Sequence, residues 1–437
     1  MTAAARDAQL ADKSNAVCRM GSMMLTSGTG SYRVKAAMGR VAQALGIEQL
    51  EAQVSLTEIV ATTREGSAFR TQVVEVPVPV VNADRIGALM RLSLRAAPGL
   101  TAAQLHRQLD HVERRPDRYH AVAIITGAAL ACAAFAFLNN GRWQECLAAG
   151  VAAAVGKGLQ VGLRRFRLNQ LAVVALASVA ACLVYLLGAE LLRLALPAQA
   201  VPLHEAAFTS AILFLVPGFP LITAALDLAR FDFTSGVSRL LYASLVTLAA
   251  ALGAWLVAGA FGLTPAEIPE PALSGWGLAL ARVVASAVGV LGFAVTFNTP
   301  PRVAAWAAGI GTVANLARLS VVDVGGNALL CAMGATIIVG LLAGWASQRI
   351  LAPRISLSVP AVLIMIPGAS TFRALVAAIN RDPVDAMTNA TASLGILLAL
   401  ATGLAIARML TDPAWIAANP RWTEMPSTPA QRRLRGH

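Results

Sequence analysis

Ten runs of about 20 predominantly apolar residues follow one another along most of this chain, beginning near residue 120, and that is the length an α-helix needs to cross a bilayer. Charged residues make up only 13% of the sequence, against roughly a quarter in soluble proteins. The sequence therefore predicts a mainly α, polytopic membrane protein with ten spans. We expect these spans near residues 120–138, 145–163, 168–188, 205–229, 237–261, 274–297, 301–320, 327–347, 355–379 and 388–410.

Residues 1–118 contain no run of spanning length and show shorter periodic patterns instead. Apolar residues at helical spacing alternate with β-branched segments that are typical of strands. We therefore predict a small cytoplasmic α+β domain, with helices over 15–28, 31–46, 83–96 and 101–115 and two strands over 54–64 and 71–78, around Glu65–Gly66. The predicted divisions are 1–118 for this domain, 119–262 and 273–411 for two five-span membrane units, and 412–437 for a basic tail.

The net charge of +12 comes mainly from arginines, many of which stand at the ends of the apolar runs. That placement is an orientation signal rather than a nucleic-acid-binding patch. Arginine-bearing connections alternate with connections that carry little basic charge, so the positive-inside rule predicts that both termini are cytoplasmic. The five cysteines lack the spacing of a zinc site or a disulfide framework, and we expect no metal and no cofactor.

Two of the predicted spans are interrupted by a proline–glycine pair. Pro217-Gly218, with Pro220 close behind, lies in the fourth span, and Pro367-Gly368 lies in the ninth. Each pair occupies the fourth of five spans in its half, and an odd number of spans makes the two halves face opposite ways. This is the inverted-repeat pattern of secondary transporters, in which broken helices form the binding site at the membrane midplane. A half-helix that begins after the break directs its N–H groups and positive dipole end at the midplane, which suits a carboxylate ligand.

The stretch VPGFPLITAALDLARFDFTSGVSRL, residues 216–240, resembles the signature of the threonine/serine exporter family. SGTGSYRVKAAMGRVAQALG, residues 27–46, resembles the start of that family's cytoplasmic domain, and FNTPPRVAAWAAGIG, residues 297–311, resembles its second membrane unit. The resemblance implies export of L-threonine and L-serine across a bacterial inner membrane, driven by the proton motive force. Many relatives have an acidic residue where this chain has Lys35. Relatives that are split over two chains are linked to dicarboxylate export, so the resemblance leaves the substrate open.

Ionisable and amide side chains within spans are functional candidates. Asp227, beyond the first break, could pair with a substrate ammonium, carry the coupled proton, or form a salt bridge with Arg230 or Arg239 that closes the helix end. Arg239 could bind a carboxylate or anchor the interface, and Lys157, which stands between two glycines, could bind substrate or snorkel to the membrane surface. Arg373, on the half-helix after the second break, could line the cavity, and Asn298 could hydrogen-bond a hydroxylated substrate or link helices.

Three functional hypotheses follow: a secondary exporter of small hydroxylated amino acids, a dicarboxylate exporter, and a membrane-anchored enzyme or sensor. A dicarboxylate needs two cations, so Arg239 and Arg373 would both face the cavity, whereas an amino acid needs one cation and one anion, which favours Asp227. Gly28-Thr29-Gly30 lacks the third glycine of a nucleotide-binding motif, so it is weak as a nucleotide site. We expect no catalytic residue and no enzymatic activity. The expected partners are the small-molecule substrate, protons and the lipid bilayer, and we expect no nucleic acid. The sequence does not indicate the oligomeric state.

Overall fold

The computed structural model describes residues 3–195, 205–263, 271–412 and 415. Its N-terminal region, residues 3–113, contains a three-stranded sheet and four helices. Their bounds are α1 (Ala3–Thr26), α2 (Ser31–Ala44), β1 (Gln49–Val54), β2 (Glu58–Glu65), β3 (Ala68–Glu75), α3 (Ala83–Arg95) and α4 (Ala102–Glu113). The sheet is antiparallel in the order β1–β2–β3, and the turn at Glu65–Gly66 joins β2 to β3, as predicted. The predicted small α+β fold at the N-terminus is confirmed.

The sheet has one strand more than the sequence predicted. Of the six residues of β1, only Val54 is buried, and the others are exposed or half-buried. Without a buried apolar face, β1 lacks the alternation by which strands are recognised. It forms by hydrogen bonding to the edge of β2. Gln49 of β1 lies opposite Arg64 of β2, and Val54 lies opposite Ile59.

The N-terminal region has a core of its own. α1 packs against α2, against β2 and β3 of the sheet, and against α3 and α4. The core includes Met20 and Leu25 of α1, Ile59 of β2, Leu89 of α3 and Leu105 of α4, all nearly inaccessible to solvent. Burying one such side chain contributes roughly 1.5–3 kcal/mol, so this region carries substantial stability before it contacts the membrane helices.

Most of the remaining helices are long and apolar. They are α5 (Ala121–Leu138), α6 (Trp143–Leu163), α7 (Gln170–Ala195), α8 (Glu205–Ser210), α9 (Gly218–Leu228), α10 (Phe233–Ala260), α11 (Gly275–Thr296), α12 (Pro301–Asp323), α13 (Ala328–Ile350), α14 (Arg354–Leu363), α15 (Gly368–Ile379) and α16 (Pro383–Thr411). Among the described residues, eight helices are long and apolar enough to span a membrane. The protein is therefore a mainly α polytopic membrane protein. Apart from Asp412 and Trp415, the predicted basic tail lies outside the described residues.

The fourth and ninth predicted spans are not continuous helices. The fourth consists of α8, a single 3-10 turn over Leu213–Leu215, and α9. The ninth consists of α14 and α15. Each second helix begins at the glycine of a proline–glycine pair, so both interruptions occur where the sequence predicted them.

The helices pack in the same order in both halves of the chain. In the first half, α5 packs on α6, α6 on α7, α7 on α10 and α10 on α9. In the second half, α11 packs on α12, α12 on α13, α13 on α16 and α16 on α15. The halves meet along α5 and α11, where Gly127 and Gly292 let the two backbones approach closely. This correspondence agrees with a repeat of five spans, and the inverted relation of the halves stays a prediction.

Candidate functional site

The two breaks have the same backbone geometry. Pro217 has φ −79° and ψ 60°, and Pro367 has φ −78° and ψ 68°, which are the angles of an inverse γ-turn. The N–H of Gly218 donates to the carbonyl of Val216 at 2.8 Å, and the N–H of Gly368 donates to the carbonyl of Ile366 at 2.9 Å. A proline cannot donate a backbone hydrogen bond, so each pair ends one helix and begins the next in the same way.

Pro220 falls in the first turn of α9. The N–H groups of a first turn have no acceptor within their own helix, so a proline costs no hydrogen bond there. The residue therefore stabilises the start of the half-helix rather than adding a second interruption.

The two breaks contact each other reciprocally. A Cβ atom at Gly218 would overlap Leu363, near the end of α14, just before the second break. A Cβ atom at Gly368 would lie 3.2 Å from the ring of Phe135 and 3.8 Å from the hydroxyl of Thr209, in α8, before the first break. Each glycine thus lets the start of one half-helix approach the helix that precedes the other break.

Hydroxyl groups accompany the second break. Thr371 donates its hydroxyl to the carbonyl of Pro367 at 2.8 Å and lies 2.7 Å from the hydroxyl of Ser393 in α16. With Thr209, three hydroxylated side chains lie around the start of α15. Hydroxyl groups both donate and accept hydrogen bonds, so they suit a polar, uncharged part of a ligand.

Lys157 lies beside the first break. Its side chain is buried, and its ammonium donates to Oε1 of Gln160 at 2.8 Å. The ammonium also lies 5.8 Å from the centre of the Phe214 ring, three residues before Pro217. No described carboxylate forms an ion pair with it. A buried ammonium of this kind is a natural partner for an anionic ligand.

Asp227 and Arg239 form a buried ion pair at the end of α9. Arg239 Nε lies 3.2 Å from Asp227 Oδ2, and the hydroxyl of Ser235 donates to the same oxygen at 2.8 Å. The backbone N–H of Ser31, at the start of α2, donates to Asp227 at 3.3 Å, and Arg239 donates to the carbonyl of Thr29 at 2.8 Å. Both charged residues therefore hold the turn between α1 and α2, which the sequence alone did not indicate.

Lys35 contributes to the same contact. Its ammonium lies 2.6 Å from Asp232, which also accepts the hydroxyl of Ser31 at 2.7 Å. Asp227 and Asp232 thus place two carboxylates at the N-terminus of α2, where the helix dipole favours negative charge. Lys35 is therefore one of the residues through which the N-terminal region contacts the membrane helices.

A second contact involves Asn298, in the turn between α11 and α12. Its backbone has φ 55°, and its side chain accepts the N–H of Arg118 at 2.9 Å and donates to Asn82 at 3.0 Å. The carbonyls of Phe297 and Asn298 accept the N–H groups of Ala83 and Asp84 at 2.9 and 3.2 Å, so this turn caps the start of α3. The structure places Asn298 at this contact, and its role in substrate binding stays a prediction.

A small cavity separates the N-terminal region from α9, α14 and α16. Its volume is 30 Å³, and it is lined by Gly30, Tyr32, Arg33, Thr223, Leu226, Asp227, Ile355, Arg408 and Trp415. Burial and the nearby guanidinium of Arg354 lower the pKa of Arg33 to about 10. Neither Arg33 nor Arg408 donates a side-chain hydrogen bond to a described residue, whereas Arg354 is bound to Thr411 at 2.7 Å. The cavity therefore combines two guanidinium groups with the carboxylate of Asp227.

Arg373 is half-buried in α15, five residues after Gly368.

The sequence alone did not single out Arg33, Arg408, Ser31 or Asp232. A weak signal was present for Ser31, because a serine after Gly30 at the start of an amphipathic run is typical of a helix N-terminus. Nothing local indicates that Ser31 meets Asp227, almost 200 residues later in the chain.

Comparison with known proteins agrees with this architecture. A family model for a threonine/serine exporter matches residues 15–261, and a second, described as "Threonine/Serine exporter, ThrE", matches residues 282–410. The "Probable threonine/serine exporter" of Mycobacterium tuberculosis is 26% identical over 419 residues, which cover 90% of this chain and 75% of the relative. The "Threonine/serine exporter" of Corynebacterium glutamicum is 25% identical, over 94% of this chain and 84% of the relative.

A relative with a different printed function also matches. The "Probable succinate transporter subunit YjjP" of Klebsiella aerogenes is 31% identical over 249 residues, which cover 55% of this chain and 90% of the relative. No solved structure matches the chain significantly. Because the first family model alone spans more than half of the 437 residues, and the second matches most of the second half, the chain belongs to the threonine/serine exporter family, a family of membrane transporters.

Proposed function

We propose that this protein exports L-threonine and L-serine from the cytoplasm by proton antiport, with the substrate site where its two broken helices meet. One observation carries the proposal: the breaks at Pro217-Gly218 and Pro367-Gly368 have the same geometry and contact each other reciprocally. Two matched interruptions within one helix bundle are typical of the midplane site of a secondary transporter.

The groups around the breaks suit an amino acid with a hydroxyl group. The N-terminal ends of α9 and α15 offer N–H groups and positive dipole ends to a carboxylate, and Lys157 adds a buried positive charge. Carbonyls left free where a helix is interrupted can accept an ammonium group. Thr209, Thr371 and Ser393 offer hydrogen bonds to the substrate hydroxyl.

The contact made by Asp227 and Arg239 is proposed to close the site from the cytoplasm. The positive-inside rule assigns both termini, and with them the N-terminal region, to that side. The turn from Thr29 to Ser31 is held against the end of α9 by both residues, so this turn has to move before substrate can pass between α9 and α14. Asp227 is also the proposed carrier of the coupled proton, because it is a buried carboxylate on the half-helix that begins at the first break.

A dicarboxylate such as succinate is the second candidate substrate. It is favoured by the likeness to the YjjP subunit and by the guanidinium groups of Arg33, Arg354 and Arg408 near the small cavity. The pairing of Arg239 with Asp227 weighs against it, because a cation already balanced by a carboxylate adds no net attraction for a dianion. Asp227 itself would repel a second carboxylate at that end of α9.

Transport by purified protein in liposomes tests the proposal. Liposomes loaded with labelled threonine, serine or succinate receive an imposed pH gradient, and release is compared between wild type, Lys157→Gln and Lys157→Arg. We expect gradient-dependent release of threonine and serine, lost in Lys157→Gln and partly retained in Lys157→Arg, because the arginine keeps the charge. Arg165→Gln, which removes an exposed charge beyond the end of the same helix, serves as the matched control and should release normally.

Other outcomes are decisive as well. Release of succinate without threonine or serine would replace the first substrate class with the second. Normal release by Lys157→Gln would remove this residue from the site, and release that ignores the pH gradient would contradict proton coupling.

A further inference from the structure

A large cavity lies in the N-terminal region rather than among the membrane helices. It is a groove of 640 Å³ between α3 and α4, closed at one end by the loop over residues 97–100. That volume is within the range of about 300–1,000 Å³ that is typical of small-molecule sites. Its lining residues take no part in the transport mechanism proposed above.

The groove is strongly cationic. Its lining includes four arginines and one histidine, and no carboxylate from the described residues: the basic side chains are Arg91, Arg95, Arg107, Arg115 and His111. The two carboxylates on the last turns of α4, Asp110 and Glu113, point to α1 instead, where Arg19 binds each of them at 2.6 Å. None of the four arginines forms an ion pair with a described residue.

The positive charges are close enough to affect one another. Burial lowers the pKa of Arg91 below its ordinary value, and the charges of Arg115 and Arg95 lower it further, although Asp84 opposes them. Like charges held together weaken the fold, and a bound anion would relieve that repulsion. Guanidinium groups bind phosphate oxygens in a bidentate geometry.

The floor of the groove is apolar. It is formed by Ala88, Leu92, Ala96, Leu100 and Val112, which belong to or pack against the core of the N-terminal region. A ligand that fits must therefore combine negative charge, for the cationic walls, with an apolar part for the floor. An inorganic ion satisfies only the first requirement.

We propose that the groove between α3 and α4 binds a phosphate-bearing anion that also has an apolar part, and that this site regulates the transporter from its N-terminal region. A nucleotide and the headgroup of an anionic phospholipid share this chemistry. A lipid headgroup could reach the groove from the membrane, because Arg115 lies only six residues before the start of α5. The site is separate from the proposed substrate site, so either proposal can fail without the other.

The groove is connected to the membrane helices through α3. Gly87, beside the guanidinium of Arg91, faces Pro353 at the start of α14. The first N–H groups of α3 are bound by the turn between α11 and α12. A ligand that bridges Arg91 and Arg115 would fix α3 relative to α4, and α3 in turn contacts the second half of the membrane helices.

Binding to the full-length protein tests the proposal. The protein is reconstituted in nanodiscs of phosphatidylcholine, which has no net charge, and equilibrium dialysis measures binding of labelled ATP and of pyrophosphate. A parallel experiment uses native mass spectrometry to count phosphatidylglycerol molecules retained from mixed micelles. Both are repeated with Arg95→Gln/Arg107→Gln and with the control Arg70→Gln, which removes an exposed arginine from β3.

We expect saturable binding of ATP or retention of phosphatidylglycerol, weakened roughly tenfold or more by the double substitution and unchanged by Arg70→Gln. ATP binding identifies a soluble ligand, whereas phosphatidylglycerol retention alone identifies a lipid. Tighter binding of pyrophosphate than of ATP would contradict the role of the apolar floor. The proposal is overturned if no probe binds, or if the double variant binds as the wild type does while its thermal unfolding is unchanged.

Discussion

Arg239 and Asp227 form an ion pair that is almost completely withdrawn from solvent, with Nε and Oδ2 3.2 Å apart and side chains 1% and 4% exposed. Both residues also bind the backbone between α1 and α2. The pair therefore connects the membrane helices to the N-terminal region, and each charge depends on the other because neither is solvated.

Removing both charges of this pair should cost less than the sum of the costs of removing each one alone. Asp227→Asn leaves the guanidinium of Arg239 buried without a carboxylate, and we expect a loss of about 3–5 kcal/mol in the free energy of unfolding. The double variant Asp227→Asn/Arg239→Gln should lose less than the sum of the two single losses. Thermal unfolding in detergent measures this. Glu190→Gln is the control, because it breaks a solvent-exposed pair with Arg193 and should leave the unfolding temperature nearly unchanged. Additive losses would show that the two charges do not interact.

The ion pair between Lys35 and Asp232 should tolerate exchange of its charges. Lys35→Glu places two negative groups together, and Asp232→Lys places two positive groups together, so each should loosen the contact of α2 with the membrane helices. Lys35→Glu/Asp232→Lys should restore much of it. Hydrogen exchange of the α2 backbone amides reports the contact directly. A double variant as loose as the single ones would show that hydrogen bonds of Asp232, rather than charge, hold α2.

The contact between the two halves should not accept a side chain at Gly292. A Cβ atom there would overlap the backbone carbonyl of Gly127 in α5, and backbone cannot rotate away as a side chain can. We expect Gly292→Ala to lower the free energy of unfolding by about 1–3 kcal/mol and to reduce transport. Gly309→Ala, at a helical glycine that faces open space, should be neutral or slightly stabilising. Equal stability of the two variants would mean that α5 and α11 do not approach this closely.

The side-chain hydrogen bonds of Asn298 should hold the N-terminal region in position, in addition to any effect of the positive φ at this residue. Asn298→Ala loses the bonds to Arg118 and Asn82 and also puts alanine at φ 55°, which costs about 1–2 kcal/mol. Asn140, with φ 66° in the turn after α5, supplies the control: Asn140→Ala carries the backbone cost alone. We expect faster limited proteolysis between residues 95 and 120 only in Asn298→Ala. The same proteolysis in both variants would assign the effect to the backbone.

The sequence determined the membrane class, the two regions and the positions of both helix breaks, because these depend on local properties. About 20 apolar residues must cross a bilayer as a helix, and a proline–glycine pair interrupts that helix wherever it stands. Gly218 and Gly368 could therefore be located without coordinates. β1 could not, because its formation depends on the exposed edge of β2 and not on its own residues.

Only the tertiary structure decided what the charged residues contact. The sequence offered Arg230 and Arg239 as partners of Asp227, and the structure selects Arg239. The carboxylate also binds the start of α2, almost 200 residues earlier in the chain. Sequence spacing predicts neighbours within one helix, where residues three or four apart face the same side. It does not specify which distant turn covers that side, because this depends on how the whole N-terminal region packs against α9, α11 and α14.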